Sequence, residues 1–293
     1  MAVYSSLLSE TEKWFFDLNG YLVLRGVIEP DRLAAMLEVI NHWLTVDARE
    51  LPAPVVRHRQ EPFKTHLDHI QYGHPLFQAL NTDPTILRIV AGLTLDTPRL
   101  FHCNFTAMRK PDPGEPEPTF FHRDDSGFKF PPGFRNPHND YQVSGGEIYC
   151  SHLATWVALV DIPERTGLCV IPGSHKSLFR EPRGMAACHN PPLSMTIPLK
   201  AGDAIVFSTN LIHEAAMWTE AHPRMNIFQR YQLSVYFNES GKGGYPLEEY
   251  RSQISEAEYE LESLGRQEKT AVKQMKVRDE FGQADCGLLL SSV

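Results

Sequence analysis

The middle of the chain, from about residue 100 to residue 238, consists of short segments with the composition of β-strands. Each is rich in β-branched and aromatic residues, and clusters of proline, glycine, aspartate and asparagine separate them. The segments are 100–109, 119–124, 147–162, 168–171, 195–199, 204–209 and 227–237. Because no helical pattern interrupts them, they predict an antiparallel sandwich, barrel or jelly roll rather than a parallel α/β sheet.

Helical patterns flank this β region on both sides. Residues 31–44 place apolar side chains at the spacing of one helix face, namely Leu33, Met36, Leu37, Ile40 and Leu44. The preceding segment, 20–28, is short, β-rich and bounded by glycines, so the first 45 residues predict helix, strand, helix. Residues 247–281 again predict helix, beginning with a capping box of Ser255 and Glu258.

The simplest partition of the chain is one domain over residues 1–293. Its β core is expected at about 100–238, with helical flanks at 1–99 and 247–293. Within the first flank, His66 and His69 are three residues apart and are predicted to lie on one exposed helix face. Two histidines alone make a poor metal site, so no ligand role is assigned to them.

Composition excludes several classes of protein. The net charge of −8, from 36 acidic and 28 basic side chains, argues against a nucleic-acid-binding protein, which needs clustered positive charge. Glu10 and Glu12 stand where a signal peptide is apolar, and no stretch reaches the roughly 20 apolar residues that span a bilayer. The five scattered cysteines form no CxxC pair. We therefore expect a cytoplasmic protein with a small-molecule partner and no membrane or nucleic-acid partner.

The most informative local feature is a His-x-Asp pattern that ends the apolar run at 120–121. Residues two apart in a strand face the same side, so His122 and Asp124 can present an imidazole and a carboxylate to one point. The letters His-Arg-Asp also occur in the catalytic loop of protein kinases. That loop requires an asparagine where this chain has Lys129, and the sequence contains no GxGxxG phosphate loop, so a kinase is excluded.

A second histidine, His213, lies 91 residues after His122, beyond a Gly-Asp turn and a strand-like segment whose far end it is predicted to occupy. It does not begin an HExxH zinc helix, because the fifth residue is Met217. Two histidines and one carboxylate, with coordination positions left open, form the facial triad of non-haem iron oxygenases. Arg224, eleven residues after His213, carries a planar guanidinium that suits the remote carboxylate of a dicarboxylic co-substrate.

Taken in order, these motifs resemble the phytanoyl-CoA dioxygenase family of Fe(II)/2-oxoglutarate-dependent oxygenases. The matching parts are an entry strand at 19–27, His122-x-Asp124, the segments 156–161 and 166–176, the Gly202-Asp203 turn, His213 and Arg224. The resemblance implies a mainly β, cupin-like fold whose core is a double-stranded β-helix, a form of jelly roll. Residues 46–99, residues 125–146 and about the last 50 residues contain no matching motif.

The resemblance also implies roles for the four central residues. His122, Asp124 and His213 would bind Fe(II), and Arg224 would anchor the C5 carboxylate of 2-oxoglutarate, with O2 as the oxidant and succinate and CO2 as co-products. Related halogenases have a small residue where this chain has Asp124, so the carboxylate favours oxygenation, with hydroxylation as the expected outcome. Desaturation, epoxidation, ring formation and endoperoxide formation remain open.

Other polar residues in the motifs are assigned less directly. Thr119, Thr155 and Asn104 are candidates for further contacts with 2-oxoglutarate, although ordinary polar positions in strands explain them equally well. His175, in the Pro-Gly-Ser-His turn, is not assigned as a ligand because the triad is already complete. Its expected role is to shape the turn.

The substrate is inferred from a long insertion, 126–146, that directly follows the second candidate ligand. It contains four aromatic residues, Phe128, Phe130, Phe134 and Tyr141. A loop at this place is expected to cover the site, and its rings favour a hydrophobic small molecule, such as a natural-product intermediate of secondary metabolism. Packing of these rings onto the barrel is an equally open explanation. The helical tail is expected either to complete this lid or to form a homodimer interface.

Three alternative functions stay open at this point. Lys129 and Arg135 in the insertion would suit the anionic group of an acyl-CoA, so an acyl-CoA hydroxylase of the same family is one. A non-catalytic metal- or ligand-binding jelly roll is another, although such a protein has no need of all four central residues. A zinc hydrolase could use two histidines and a carboxylate but would not need Arg224.

Overall fold

The part of the chain described by the structure, a computed structural model, contains twelve strands and six α-helices. The described residues are 7–96, 98–115, 121–124, 141–177, 179, 193–233 and 247–263. The strands are β1 (Tyr21–Leu24), β2 (Val56–Glu61), β3 (Lys64–Asp68), β4 (Pro98–Met108), β5 (Tyr141–Ser144), β6 (Glu147–Cys150), β7 (His152–Ala158), β8 (Leu168–Val170), β9 (Met195–Ile197), β10 (Ala204–Ser208), β11 (His213–Ala215) and β12 (Arg224–Leu233). The helices are α1 (Glu10–Asn19), α2 (Pro30–Thr45), α3 (Ile70–Gly73), α4 (Pro75–Asn81), α5 (Pro84–Thr94) and α6 (Glu256–Glu262).

Two antiparallel sheets form the core. The larger has the strand order β1-β10-β7-β12-β4-β3-β2, and the smaller has the order β11-β8-β9; β5 and β6 form a separate hairpin. Successive residues of the larger sheet face different layers, as the pleat of a strand requires. Leu22 and Val157 pack with the helices, whereas Val23 and Trp156 pack with Leu168 of the smaller sheet. The predicted mainly β, jelly-roll core with flanking helices is confirmed.

The amino-terminal helix, strand and helix form as predicted. Ser9 and Glu12 make a reciprocal capping box at the start of α1, and Gly20 ends the helix in the left-handed conformation, with φ of 83°. A Cβ atom at Gly20 would lie 2.4 Å from Nδ1 of His175, so space as well as backbone conformation requires glycine there. Residues 21–24 then pair with β10.

The segment 64–69, predicted as a helix face, is mostly strand. It forms β3, which pairs with β2 on one side and β4 on the other, so the predicted helical flank at 1–99 contributes three strands to the larger sheet. His66 is buried opposite Thr106, and His69 adopts a left-handed conformation with φ of 62°. The prediction of an exposed helix face was therefore wrong.

The Gly-Asp turn at 202–203 connects the two sheets. Gly202 has φ of 91°, and a Cβ atom there would lie 2.6 Å from the carbonyl oxygen of Ile28. The Asp203 carboxylate accepts hydrogen bonds from the backbone N–H groups of Gly26 (2.9 Å) and Lys200 (2.8 Å), which ties the end of β1 to the start of β10. His213 was predicted to end β10, the strand that follows this turn. It instead begins β11 in the smaller sheet.

At the other end of the described chain, α6 packs on the helix-covered face of the larger sheet. The Ser255 hydroxyl accepts a hydrogen bond from the backbone N–H of Glu258 (3.2 Å), and Leu261 is fully buried in the core. The rest of the predicted carboxy-terminal helix, 264–281, lies outside the described residues. No helix in the described segments is long and apolar enough to cross a membrane.

Candidate metal centre

The His-x-Asp segment lies against the beginning of β11. The backbones of His122 and His213 exchange two hydrogen bonds (3.0 and 2.9 Å), and the N–H of Asp124 donates to the carbonyl of Thr209 (3.0 Å). This extended pairing turns His122 and Asp124 to one side. Arg123 points the other way, and its Nη1 donates to the carbonyl oxygens of Ser174 (2.8 Å) and Asn210 (2.7 Å).

The three side chains predicted as metal ligands converge. One ligand atom from each of His122, Asp124 and His213 lies within 4.8 Å of the other two, and no other such group of three occurs among the described residues. Nε2 of His122 lies 3.6 Å from Oδ1 of Asp124, and the two imidazole centroids are 4.5 Å apart. The donor set and its spacing fit a single first-row metal ion.

The protonation states of these groups favour metal binding. Nδ1 of His213 lies 2.7 Å from the carbonyl oxygen of Leu211, which can only accept, so Nδ1 carries the proton and Nε2 offers its lone pair. Burial lowers the pKa of His213 to about 4, which keeps the imidazole neutral. Burial alone would raise the pKa of Asp124, but the charge of Arg230 and the hydrogen bond with His122 lower it well below its usual value.

These three side chains border a cavity of about 390 Å³. Strands β3, β4 and β12 of the larger sheet supply most of the remaining wall. The lining residues are His58, Lys64, His66, Asp68, His102, Asn104, Thr106, His122, Asp124, Trp156, Leu168, His213, Ala215, Arg224, Asn226, Phe228 and Arg230. The volume lies in the range of small-molecule sites.

Arg224 reaches this cavity from the first position of β12. The residue is only 2% exposed. Its Nη1 donates a hydrogen bond to the carbonyl oxygen of Ala216 (3.1 Å), and its Nη2 lies 3.1 Å from Sδ of Met108. Its Cζ lies 5.3 Å from the centre of the Trp156 ring. Burial lowers the pKa of Arg224 to about 10, so the side chain remains charged at neutral pH. Nε is buried without a hydrogen-bond partner among the described residues. A buried cation with an unused donor fits a bound carboxylate.

Of the other predicted site residues, Asn104 lines the cavity and Thr155 does not. Asn104 lines the cavity; its Nδ2 lies 3.4 Å from Nδ1 of His66, and its buried Oδ1 has no partner among the described residues. Thr155 is on the opposite face of β7 from Trp156, where its hydroxyl donates to Oε1 of Gln229 (2.5 Å). The structure therefore does not bring Thr155 to the cavity, because strand alternation turns it toward the helices.

Two further sequence expectations can be located. Thr119 lies outside the described residues. The ring of His175 packs against Phe16 and Tyr141, with centroids 6.1 and 4.5 Å away, and does not line the cavity.

Sequence reasoning missed Arg230. Its Nη2 lies 3.1 Å from Oδ1 and 3.2 Å from Oδ2 of Asp124, and its guanidinium lies over the ring of Phe228, 4.8 Å from the centroid. The alternation of side chains along β12 could have predicted its position from the sequence. Residues 226, 228 and 230 face the same side of the strand as Arg224, which was already a candidate site residue.

A family model matches residues 16–226, under the description Phytanoyl-CoA dioxygenase (PhyH). The match runs from α1 to the start of β12 and includes all three candidate metal ligands and Arg224. The chain belongs to the phytanoyl-CoA dioxygenase family. As a member of this family, the protein is an oxygenase that depends on Fe(II) and 2-oxoglutarate and consumes O2.

Solved structures share the fold of this family member at low sequence identity. HygX from Streptomyces hygroscopicus, with nickel, 2-oxoglutarate and hygromycin B bound, is 17% identical with a TM-score of 0.67, covering 92% of this chain and all of its own. The epimerase SnoN, in complex with Fe3+, alpha ketoglutarate and nogalamycin RO, is 20% identical with a TM-score of 0.57, covering 80% of this chain and 92% of its own. The carbocyclase SnoK from nogalamycin biosynthesis is 21% identical with a TM-score of 0.58, covering 85% and 91%. No curated protein sequence matches the chain.

Proposed function

We propose that His122, Asp124 and His213 bind the iron and that Arg224 binds the C5 carboxylate of 2-oxoglutarate within one catalytic domain. The reaction is the oxidation, as hydroxylation, of an unactivated C–H bond in a small molecule, with release of succinate and CO2. The observation that carries the proposal is the buried, incompletely paired Arg224 guanidinium in the same cavity as the three converging ligands. A zinc hydrolase or a non-catalytic jelly roll gives no reason to keep that charge buried.

Each of these residues has a definable task. When bound, iron(II) and 2-oxoglutarate supply the activation of dioxygen. His213 is held in one tautomer by the carbonyl of Leu211, and Asp124 is held ionised by the charge of Arg230 and the hydrogen bond with His122. Arg224 orients the co-substrate from a position with little access to water, where a charge-assisted hydrogen bond is strong.

The substrate class follows from the cavity wall. The predicted hydrophobic substrate rested on the insertion 126–146, most of which lies outside the described residues. Its described aromatic, Tyr141, packs on His175 and donates to Asp17 (2.6 Å) instead of lining the cavity. Most of the lining residues have polar side chains, and Trp156, Leu168 and Phe228 add apolar surface, so we propose a natural-product intermediate that has hydrogen-bonding groups beside its apolar part.

Two facts about other proteins support this substrate class. HygX is described with hygromycin B bound and SnoN with nogalamycin RO bound, and both are small molecules. The alternative of an acyl-CoA substrate rested on Lys129 and Arg135, which lie outside the described residues. Dimer formation and a cytoplasmic location stay predictions.

Turnover of 2-oxoglutarate to succinate in the presence of Fe(II) and ascorbate tests the proposal without the natural substrate. The wild type is expected to release succinate, and His213→Ala to release none. Arg224→Ala should raise the KM for 2-oxoglutarate about 10- to 100-fold, the loss expected for charge-assisted hydrogen bonds. Exposed residues provide matched controls, His42→Ala and Arg49→Ala. An unchanged KM in Arg224→Ala, or succinate release by His213→Ala, would remove the basis of the proposal.

A further inference from the structure

A second guanidinium, that of Arg230, lies beside the candidate metal ligands. Nη2 of Arg230 lies almost equally far from both carboxylate oxygens of Asp124, at 3.1 and 3.2 Å. The Asp124 side chain is 12% exposed and the Arg230 side chain 30% exposed, so water screens this ion pair only partly. Both residues line the cavity.

Arg230 is not a second anchor for the remote carboxylate of 2-oxoglutarate. It lies six positions after Arg224 on β12, which corresponds to about 20 Å along an extended strand. The guanidinium is held where it is by the ring of Phe228 beneath it. Beyond it the pairing of β12 with β4 changes register, between Arg230 and Tyr231. The two arginines therefore serve different parts of the cavity.

An arginine at this position has an electrostatic cost. A fixed positive charge next to a metal ligand repels a divalent cation and makes the carboxylate a weaker donor. A role confined to folding would not need the charge to touch both oxygens of the one carboxylate in the cluster. The contact is better explained by what it does to Asp124 when that residue binds a metal.

We propose that Arg230 is a positioning residue: by contacting both oxygens of Asp124 it competes with the metal for this carboxylate, so that Asp124 binds the metal through one oxygen rather than both. A carboxylate free to give both oxygens would occupy an additional coordination position, and the reaction needs the open positions for 2-oxoglutarate and dioxygen. The inference rests on the proposed function of the triad. It adds that Arg230 lowers the affinity of the site for the metal and thereby leaves a coordination position open.

The test compares Arg230→Met, which keeps an unbranched stem but removes the guanidinium and its charge, with the wild type. Binding of Co(II) by calorimetry and the visible spectrum of the Co(II) complex report affinity and coordination number without any turnover. We expect Co(II) to bind Arg230→Met as tightly as the wild type or more tightly, with a spectrum of higher coordination number. Succinate release per Fe(II)-loaded enzyme should fall about 10- to 100-fold, the usual effect of losing a partner of a metal ligand.

The matched control is Arg99→Met in β4, whose Nε donates to the carbonyl of Glu262 on the helix-covered face (2.8 Å). It should change neither Co(II) affinity nor turnover per loaded enzyme. If the methionine variant does not fold, Arg230→Lys replaces it, because lysine keeps the charge but not the planar guanidinium. The turnover of Arg230→Lys should lie between those of the wild type and Arg230→Met. Weaker Co(II) binding by Arg230→Met, or unchanged turnover per loaded enzyme, would overturn the inference. If the wild type neither binds Co(II) nor releases succinate, the proposed function itself fails.

Discussion

At the scale of single residues, strand alternation decides which side chains reach the cavity. The period of two predicted that His122 and Asp124 would face one side, and they do, while Arg123 faces the other. The same rule could not assign Thr155 from sequence alone. Both faces of β7 are buried and both carry polar groups, so only the packing of helices on one side tells them apart.

Thr155→Val tests the placement of this residue on the helix-covered face. The substitution removes the donor to Oε1 of Gln229 and leaves that buried oxygen unpaired, at a cost of about 1–3 kcal/mol in the free energy of unfolding. Urea denaturation measures this loss, and Thr155→Ser, which keeps the hydroxyl, is the control. The Kd for 2-oxoglutarate should not change. Weaker 2-oxoglutarate binding at unchanged stability would instead place Thr155 in the co-substrate site.

At the scale of elements, the strand β3 shows where pattern reasoning fails. A half-buried strand usually has apolar residues on its inner face, but Lys64, His66 and Asp68 face a polar cavity, and Leu67 packs toward the helices. The usual alternation of apolar inner and polar outer residues is therefore inverted in β3. Because this strand pattern is missing, the spacing of His66 and His69 suggested a helix. The helix 31–44, whose apolar face packs on the core, was predicted correctly because no cavity disturbs its pattern.

The helix α6 carries two acidic residues that are almost completely buried, Glu258 and Glu262. Glu258 accepts a hydrogen bond from Nδ2 of Asn81 (2.6 Å), and Glu262 accepts one from the hydroxyl of Tyr72 (2.6 Å). Burial raises the pKa of both carboxyls, and the charge of Glu262 raises that of Glu258 further. The folded protein therefore retains protons that the unfolded chain releases above pH 4.5.

The sign of this linkage predicts a pH dependence of stability. The contribution of Glu258 and Glu262 to the free energy of unfolding is fully present below the pKa of the unfolded chain. It decreases as the pH rises from 4.5 toward the higher pKa values of the folded protein. Glu258→Gln should therefore increase the free energy of unfolding more at about pH 8 than at about pH 5, measured by urea denaturation. Glu260→Gln, in the same helix, is the control for the effect of the substitution itself. An equal effect at both pH values would contradict a raised pKa at Glu258.

At the scale of the whole molecule, the series of short strands without intervening helices predicted an antiparallel sandwich, barrel or jelly roll, because such strands can bury their faces only in facing sheets, and the family resemblance selected the jelly roll. The strand order was not predictable. β12, near the end of the sheet-forming region, lies between β7 and β4, and the pairing of such distant segments depends on register rather than local composition. The four central site residues were predicted because each lies in an ordered motif, whereas the polar wall from β2 and β3 carries none.

The central claim is that His122, Asp124, His213 and Arg224 form one site for Fe(II) and 2-oxoglutarate. An anaerobic titration tests it most directly, because chelation of Fe(II) by 2-oxoglutarate produces a visible metal-to-ligand charge-transfer band. The band should appear with the wild type and with Thr155→Val, and it should be absent with His213→Ala. With Arg224→Ala it should need about 10- to 100-fold more 2-oxoglutarate. Absence of the band in the wild type, or an unchanged titration of Arg224→Ala, would contradict the account.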